Sequence, residues 1–267
     1  MKVHGKVLVV TGAGSGMGRE LTLQLVGKGV KVAAVDFRGE SLAETKALAQ
    51  ALGGVVETFV VDVSDAGRVA GLPNDIEAKL GPVDGLINNA GIIQPFVKVN
   101  ELTIEQADKV MAVNFHGPLT MIKAFLPGLL TRPEAHILNV SSMGAYAPVP
   151  GQSVYGASKA AIKLLTEGLR SELLDTNVGV TVVFPGAINT NIAANSGMAM
   201  PAADSAATSS IKMTPAPDAA AVMIQAIENN KPRVCIGKDA KTLDLLTRLN
   251  PVYAAKVIYK QMASLLG

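Results

Sequence analysis

The feature that most constrains the fold is an alternation of short, unbroken apolar runs with longer stretches of helical pattern. The apolar runs lack the regular polar residues of a sheet with one wet face, so they predict strands buried on both sides in a parallel sheet. The repeated β–α order predicts an α/β fold in three layers: a doubly wound parallel sheet of about seven strands with helices on both faces. The seven runs are KVLVVTG, KVAAVD, ETFVVDV, VDGLINNAG, HILNVSS, GVTVVFPG and RVCIG.

The helical stretches between these runs leave no recognisable linker, which predicts a single domain over residues 1–267. The third helical stretch, DAGRVAGLPNDIEAKLG, contains a proline and is predicted to break there. One long helix is expected over about 105–130 with Pro118 inside it, and another over 154–174. The other two helical stretches are GRELTLQLVGKG and GESLAETKALAQALGG.

Two regions depart from this rhythm. Residues 193–211 are mostly Ala, Ser and Met with one charge, Asp204, which is typical of either an irregular loop or a lid over a pocket, here about 191–215. The C-terminal extension, about 240–267, carries a helical apolar stripe with two lysines off it, which favours packing on its own fold or on a partner subunit; peripheral membrane contact is the alternative. The stripe is Ala255, Ile258, Met262 and Leu265, and the lysines are Lys256 and Lys260.

Composition excludes several classes of function. Hydrophobic residues are 49% of the chain, aromatics are 4% and Trp is absent, so the core must be aliphatic. A net charge of +2 gives no basis for nucleic-acid binding. Cys235 is the single cysteine and the three histidines are scattered, which predicts neither a disulfide nor a metal site. No apolar run is long enough for a secretory signal or a membrane span, so we expect a soluble, cytoplasmic protein.

The stretch TGAGSGMG, residues 11–18, lies between the first predicted strand and the first predicted helix. There, Gly12 allows a tight turn, while Gly16 and Gly18 let the backbone approach a pyrophosphate at the helix N-terminus. The pattern therefore indicates the dinucleotide-binding loop of a Rossmann fold. A glycine-rich turn in some other α/β protein is the alternative.

An acidic residue at the end of the second strand bears on the choice of dinucleotide. Asp36 stands 18 residues after Gly18, where a carboxylate can accept hydrogen bonds from the adenosine ribose and would repel a 2′-phosphate. This favours NAD over NADP. Arg38 is the counter-indication, because it can turn toward a 2′-phosphate. A solvated carboxylate at a strand end is the alternative for Asp36.

A phenol and an ammonium stand four residues apart in SVYGASKAAIK, at Tyr155 and Lys159. Residues at this spacing share one face of a helix, and a nearby cation favours the phenolate form of a tyrosine. Such a phenol can exchange a proton with an alcohol or carbonyl oxygen. Ser142, 13 residues before Tyr155, ends the fifth strand and can bind the same oxygen. Taken singly, each residue is also compatible with a structural role.

Taken together, these motifs resemble the short-chain dehydrogenase/reductase family over about residues 5–190. Seven elements occur in the family's order. They are TGAGSGMG at 11–18, DV at 62–63, NNAG at 88–91, VN at 113–114, SS at 141–142, YGASK at 155–159 and PGAINT at 185–190.

The resemblance implies a role for each matching residue. Tyr155 is the general acid/base, Lys159 lowers its pKa and binds the nicotinamide ribose, Ser142 orients the substrate, and Asn114 holds a water in a proton relay. The resemblance also implies transfer of the 4-pro-S hydride. The implied cofactor-binding residues are Gly12, Ser15, Gly16, Met17, Gly18, Asp36, Phe37, Asp62, Val63, Asn89, Ala90, Gly91, Tyr155, Lys159, Pro185, Gly186, Ile188 and Thr190.

The chain departs from the family after the last predicted strand, where RVCIGKDAKTLDLL matches the common ending only loosely. A homodimer or homotetramer is still expected, although the usual tetramer contact is in doubt. The predicted substrate contacts are Ser142, Met143, Gln152 and Tyr155, and further pocket candidates are Ile93, Ala145, Tyr146, Met198 and Met200. These side chains are mostly apolar, which favours an uncharged, lipophilic substrate.

The sequence therefore predicts an NAD-dependent oxidoreductase that interconverts a secondary alcohol and a ketone, with no metal. A non-catalytic NAD-binding regulatory or scaffold protein on the same fold is the alternative. Epimerase or dehydratase chemistry is less favoured, because those enzymes usually carry a longer substrate domain.

Overall fold

A computed structural model describes residues 1–190, 192–197 and 213–262. Its main sheet has seven parallel strands in the order β3-β2-β1-β4-β5-β6-β9, which confirms the predicted doubly wound fold. Two short strands, β7 and β8, pair beside it and were not predicted. The strands are β1 Val7–Thr11, β2 Lys31–Asp36, β3 Val56–Val60, β4 Gly85–Asn88, β5 Ala135–Val140, β6 Val178–Pro185, β7 Ile188–Asn189, β8 Thr214–Pro215 and β9 Arg233–Ile236.

Helices cover both faces of the sheet, because successive side chains of each central strand point in opposite directions. Leu8 and Val10 of β1 pack with α1, α2 and α8, whereas Val7 and Val9 pack with α3, α5 and α6. The α-helices are α1 Gly16–Gly27, α2 Gly39–Ala51, α3 Ala66–Leu80, α4 Ile104–Met111, α5 Gly117–Leu130, α6 Ser153–Glu172, α7 Ile192–Asn195, α8 Ala216–Glu228, α9 Lys238–Leu249 and α10 Pro251–Met262.

Two proline predictions differ from the structure. Helix α3 runs through Pro73 without a break, capped at its start by the Asp65 side chain, which accepts the Arg68 backbone N–H at 3.0 Å. The expected long helix over 105–130 is divided by a π-helical turn over 112–116, and Pro118 lies in the first turn of α5. Proline is tolerated in a first helical turn, because the N–H that it lacks would have no intrahelical partner there.

The chain order of the strands fixes where a ligand can bind. Connections from β1 run outward to β2 and β3 on one side and to β4, β5 and β6 on the other. In such a sheet, the carboxyl ends of the two strands at the reversal open a crevice. Here those strands are β1 and β4, and they are followed by the glycine loop and by the NNAG segment.

The predicted lid and C-terminal extension are described in part. Residues 192–197 form α7 and the turn that follows it, and 214–215 form β8; Met198, Met200 and Asp204 lie outside the described residues. In α10, Ile258 is buried and Lys256 and Lys260 are exposed, while Leu265 lies outside the described range. Within the described residues, no helix combines the length and apolar character needed to cross a membrane.

Candidate active site

The glycine loop joins β1 to α1 with very little space between backbone segments. Gly12 and Gly16 adopt φ of 68° and 52°, in the left-handed region that glycine reaches without strain. A Cβ on Gly18 would overlap the Gly12 carbonyl oxygen. Ser15, the N-cap of α1, makes no side-chain hydrogen bond to the first turn, so that turn presents backbone N–H groups and the positive end of the helix dipole.

Asp36 lies at the end of β2 beside this loop and is buried. Its two carboxylate oxygens accept the backbone N–H groups of Gly14 and Arg38, each at 3.0 Å. The Arg38 side chain turns back over the loop, with Nε 3.6 Å from the Asp36 carboxylate and Nη2 3.1 Å from the Ser15 hydroxyl. The carboxylate and the guanidinium therefore stand together at this end of the cleft.

A cleft of about 500 Å³ runs from the glycine loop along the carboxyl ends of the strands. Twelve of the predicted cofactor-binding residues line it, so the fold brings together segments that are far apart in sequence. They are Gly12, Ser15, Gly16, Met17, Asp36, Phe37, Asp62, Val63, Asn89, Ala90, Gly91 and Thr190.

The segment 192–197 lies along the same cleft and is tied to both of its walls. The Asn195 amide donates to the Ser15 hydroxyl at 2.9 Å and accepts a hydrogen bond from Arg38. The Ser196 hydroxyl accepts the Ile93 backbone N–H at 3.1 Å. The described part of the predicted lid thus borders the cleft in this structure.

The wall formed by the NNAG segment is held by Thr11, at the end of β1. The Thr11 hydroxyl accepts the backbone N–H groups of Asn89 and Ala90, each at 3.0 Å, and the Asn89 amide donates to the Thr11 carbonyl at 3.0 Å. Thr11 stood inside the predicted motif without a role of its own. Its contacts fix the wall that leads to Gly91.

Tyr155 and Ser142 lie together beyond this wall. Tyr155 is in the first turn of α6, and Ser142 follows β5, where its hydroxyl accepts the Gly144 N–H at 3.0 Å. Burial raises the pKa of the Tyr155 phenol, and its hydrogen bond with Ser142 opposes that rise. Gly144 is packed so closely that a Cβ there would lie 3.3 Å from Tyr155 Cε1.

Lys159 is buried one turn along α6, and its Nζ donates to the Val140 carbonyl at 3.1 Å. That Nζ lies 5.9 Å from the centroid of the Tyr155 ring and would be 3.1 Å from a Cβ on Gly91. Burial lowers the pKa of the Lys159 ammonium to about 8. The amine is thus directly behind the cleft wall and on the same helix face as the phenol.

Asn114 lies in the π-helical turn, a distortion that is frequent at functional sites. Its side-chain amide makes two hydrogen bonds to the Ile92 backbone, accepting the N–H at 2.9 Å and donating to the carbonyl at 2.8 Å. It also donates to the Ser158 hydroxyl at 3.0 Å, and Ser158 donates to the Tyr155 carbonyl at 2.7 Å. This network connects the cleft wall to α6.

Three other predicted cofactor-binding residues, Pro185, Gly186 and Ile188, are not among the residues that line the cleft. Gly186 packs against the Asp239 carboxylate, which accepts the Ala187 N–H at 2.7 Å. Pro185 is buried at the end of β6, and Ile188 lies in β7. Their cofactor contacts remain predictions.

The predicted substrate contacts divide in a similar way. Met143 is half-buried in the 3₁₀ turn after Ser142. Gln152 is buried, and its amide donates to the Gln94 carbonyl at 2.8 Å. Tyr146, a further pocket candidate, donates its hydroxyl to the Ala240 carbonyl at 2.8 Å and thereby ties the active-site loop to α9.

Three residues with clear roles in this geometry were missed as site residues. Gln94 binds the start of α6, Asp239 fixes the turn after β6, and Asn195 bridges the glycine loop and the lid segment. No local pattern identifies them, because each acts on a segment distant in sequence.

These features fit a dinucleotide that carries a diphosphate. The loop has a glycine cradle that a single Cβ would fill, an uncapped helix N-terminus for an anion, and a carboxylate for ribose hydroxyls. Among the described residues, no group of three or more His, Cys, Asp or Glu is arranged to hold a metal ion.

Known proteins resemble this chain in both sequence and fold. Residues 6–200 match the family described as short chain dehydrogenase. The putative oxidoreductase SadH of Mycobacterium tuberculosis is 37% identical over 252 residues, which cover 92% of this chain and 91% of SadH.

Two solved structures extend the comparison. A short chain dehydrogenase/reductase from Burkholderia phymatum in complex with NAD superposes with a TM-score of 0.86 at 27% identity, covering 94% of this chain and 95% of that one. A short chain dehydrogenase from Burkholderia cenocepacia in complex with NADP gives 0.81 at 28% identity, covering 97% and 99%. The chain therefore belongs to the short-chain dehydrogenase/reductase family of oxidoreductases.

Proposed function

We propose that this protein is a short-chain alcohol dehydrogenase or ketone reductase that prefers NAD and interconverts a secondary alcohol and a ketone. The observation that carries this proposal is the position of the Tyr155 phenol and the Lys159 amine, on one face of α6 behind the cleft wall at Gly91. A bound nicotinamide dinucleotide supplies the hydride carrier. The chain's own residues must then hold the substrate oxygen and exchange its proton.

In this proposal, Tyr155 is the general acid/base and Ser142 binds the same substrate oxygen, since the Tyr155 ring and the Ser142 hydroxyl both pack against Gly144. Lys159 presents its amine to the cofactor ribose and keeps positive charge near the phenol. Asn114 anchors α6 to the cleft wall and holds a water that relays protons from Lys159. The positive charge of an oxidised nicotinamide would further favour the phenolate when the cofactor is bound.

Preference for NAD rests on Asp36. Its carboxylate lines the cleft beside the glycine loop, where it would accept hydrogen bonds from the adenosine ribose and repel a 2′-phosphate. Arg38 acts in the opposite sense, because its guanidinium lies next to that carboxylate and to Ser15. Relatives of this fold are known in complex with NAD and with NADP, so we propose a preference and not an exclusive use.

We propose that the substrate is uncharged and lipophilic. Ile92, Ile93 and Pro95 line the cleft beyond Gly91, and Met143 follows Ser142. A homodimer or homotetramer in the cytoplasm is the assembly that we expect. Helix α10 exposes Tyr253 and Tyr259, so peripheral membrane contact by the C-terminal extension remains the alternative.

The reaction is tested by measuring NADH formation with a panel of apolar secondary alcohols, hydroxysteroids, short diols and polyols. We expect turnover with apolar secondary alcohols and little with polyols. Tight NAD binding without turnover on the whole panel, in either direction, would instead favour a regulatory NAD-binding protein.

The cofactor preference is tested in the same assay by Asp36→Asn. Loss of a hydrogen bond to a charged group costs about 1.5–3 kcal/mol, so kcat/KM with NAD relative to NADP should fall by about 10- to 150-fold. Asp62→Asn is the matched control, because Asp62 lines the same cleft and should leave this ratio unchanged. A ratio that is the same in Asp36→Asn and in the unaltered protein would contradict the role given to Asp36.

A further inference from the structure

Gln94 is fully buried and uses its side-chain amide to bind the start of α6. Its Oε1 accepts the backbone N–H groups of Val154 at 2.8 Å and Tyr155 at 2.9 Å. Its Nε2 donates to the Gly151 carbonyl at 2.9 Å. In return, its own carbonyl accepts the Gln152 amide at 2.8 Å. Residues 151–155 are therefore held in place by Gln94, which belongs to the segment that follows NNAG.

These contacts replace a cap that α6 does not provide for itself. The first N–H groups of a helix have no intrahelical partners, and Gln152, the N-cap residue of α6, makes no side-chain hydrogen bond to that turn. Gln94 supplies the acceptor from the segment that follows NNAG. This segment lines the cleft, so the cap joins the cleft wall directly to the backbone of Tyr155.

We propose that Gln94 is a positioning residue for Tyr155: its amide locks the first turn of α6 to the cleft wall and so sets the distance between the phenol and the reacting atoms. The inference rests on the proposed role of Tyr155 in proton transfer. This positioning role also explains why residue 94 carries an amide and not a carboxylate. A carboxylate would accept the same two N–H groups, but it would place negative charge against the Tyr155 backbone and oppose ionisation of the phenol.

The test compares Gln94→Glu, Gln94→Met and the control Gln50→Glu, which makes the same change at an exposed position of α2. The chain has four tyrosines and no Trp, so phenolate absorbance in the near ultraviolet is easy to resolve. Subtracting the same background carrying Tyr155→Phe isolates the titration of Tyr155. The measurement is made with NAD bound and does not depend on turnover.

We expect Gln94→Glu to raise the pH at which Tyr155 ionises by one unit or more, because a carboxylate bound to the Tyr155 backbone N–H disfavours a second negative charge on the phenol. At neutral pH, kcat for alcohol oxidation should then fall by about tenfold for each unit and recover as the pH is raised, with KM nearly unchanged. Gln94→Met should lower kcat at every pH, because it removes the anchor without adding charge. Gln50→Glu should behave as the unaltered protein.

Unchanged kcat and an unchanged Tyr155 titration in Gln94→Met, whose side chain cannot accept the two N–H groups, would overturn the inference. If Gln94→Met does not fold, Gln94→Glu decides: it keeps the size of the side chain and both accepted hydrogen bonds but loses the bond donated to the Gly151 carbonyl and adds charge, so unchanged kcat and Tyr155 titration in this variant would overturn the inference. A failure of the proposed function looks different. In that case Tyr155→Phe would retain turnover, whereas the Gln94→Glu shift in titration would still be observed.

Discussion

Replacing Tyr155 with phenylalanine is expected to lower kcat by about 10²- to 10⁴-fold, the usual contribution of a general acid/base. The substitution removes the phenol oxygen and leaves the ring packing against Gly144 in place. Dinucleotide affinity should change by no more than about two- to threefold, because the glycine loop and Asp36 are untouched. Steady-state kinetics and calorimetric NAD binding measure the two effects separately.

Tyr253→Phe is the matched control for this prediction. Tyr253 is exposed on α10, and its loss of a hydroxyl should leave kcat unaltered. Near-normal turnover in Tyr155→Phe would remove the general acid/base from the proposal. Equal losses in both variants would indicate a general effect of removing tyrosine hydroxyls.

Gly18→Ala is expected to have the second large effect. A Cβ at this position would overlap the Gly12 carbonyl oxygen and lie 2.7 Å from Asn89 Nδ2, so the loop, the helix and the NNAG wall would have to separate. Overpacking of this kind costs about 1–3 kcal/mol. If this cost falls on the glycine-loop conformation that binds the dinucleotide, the affinity for NAD falls by roughly 5- to 150-fold. Fluorescence titration with NADH measures the loss.

Gly27→Ala provides the comparison within the same helix. Gly27 ends α1, and a Cβ there would have no atom within 4 Å. Alanine favours helix by about 0.5–1 kcal/mol over glycine, so this variant should bind NAD normally and unfold at an equal or higher urea concentration. Equal NAD affinity in Gly18→Ala and Gly27→Ala would contradict the close approach seen at the glycine loop.

Local sequence pattern was enough to predict the architecture. The apolar runs coincide with the seven strands of the main sheet. A central strand such as β1 is buried on both faces and needs apolar residues at nearly every position, whereas the edge strands β3 and β9 are only partly buried. The glycine loop could also be predicted from the sequence, since positions such as Gly18 tolerate no side chain. The spacing of Tyr155 and Lys159 predicted that both lie on one face of α6, as they do.

Long-range polar contacts could not be predicted in the same way. Gln94 binds α6 across a gap of some 60 residues, and Asn195 meets Ser15 across 180. A side-chain amide in sequence gives no indication of its partner. The π-helical turn that holds Asn114 was also missed, because residues 112–116 have no pattern that separates them from an ordinary α-helix.

Burial modifies the electrostatic argument made from sequence. Charge alone predicted a phenol made acidic by Lys159, but burial favours the neutral form of both groups, raising the pKa of Tyr155 and lowering that of Lys159 to about 8. The lysine amine donates to the Val140 carbonyl and, within the described residues, makes no hydrogen bond to the Tyr155 phenol oxygen. Acidification of Tyr155 therefore depends on how much positive charge bound NAD and Lys159 provide together.

The central claim is that Lys159 and a bound oxidised nicotinamide make the Tyr155 phenol acidic enough to exchange protons with the substrate. Its direct test is the near-ultraviolet titration of Tyr155, with and without NAD, in the unaltered protein and in Lys159→Met. We predict that NAD lowers the pH of ionisation and that Lys159→Met raises it in both conditions. A Tyr155 titration that responds to neither NAD nor the loss of the lysine amine would contradict the claim.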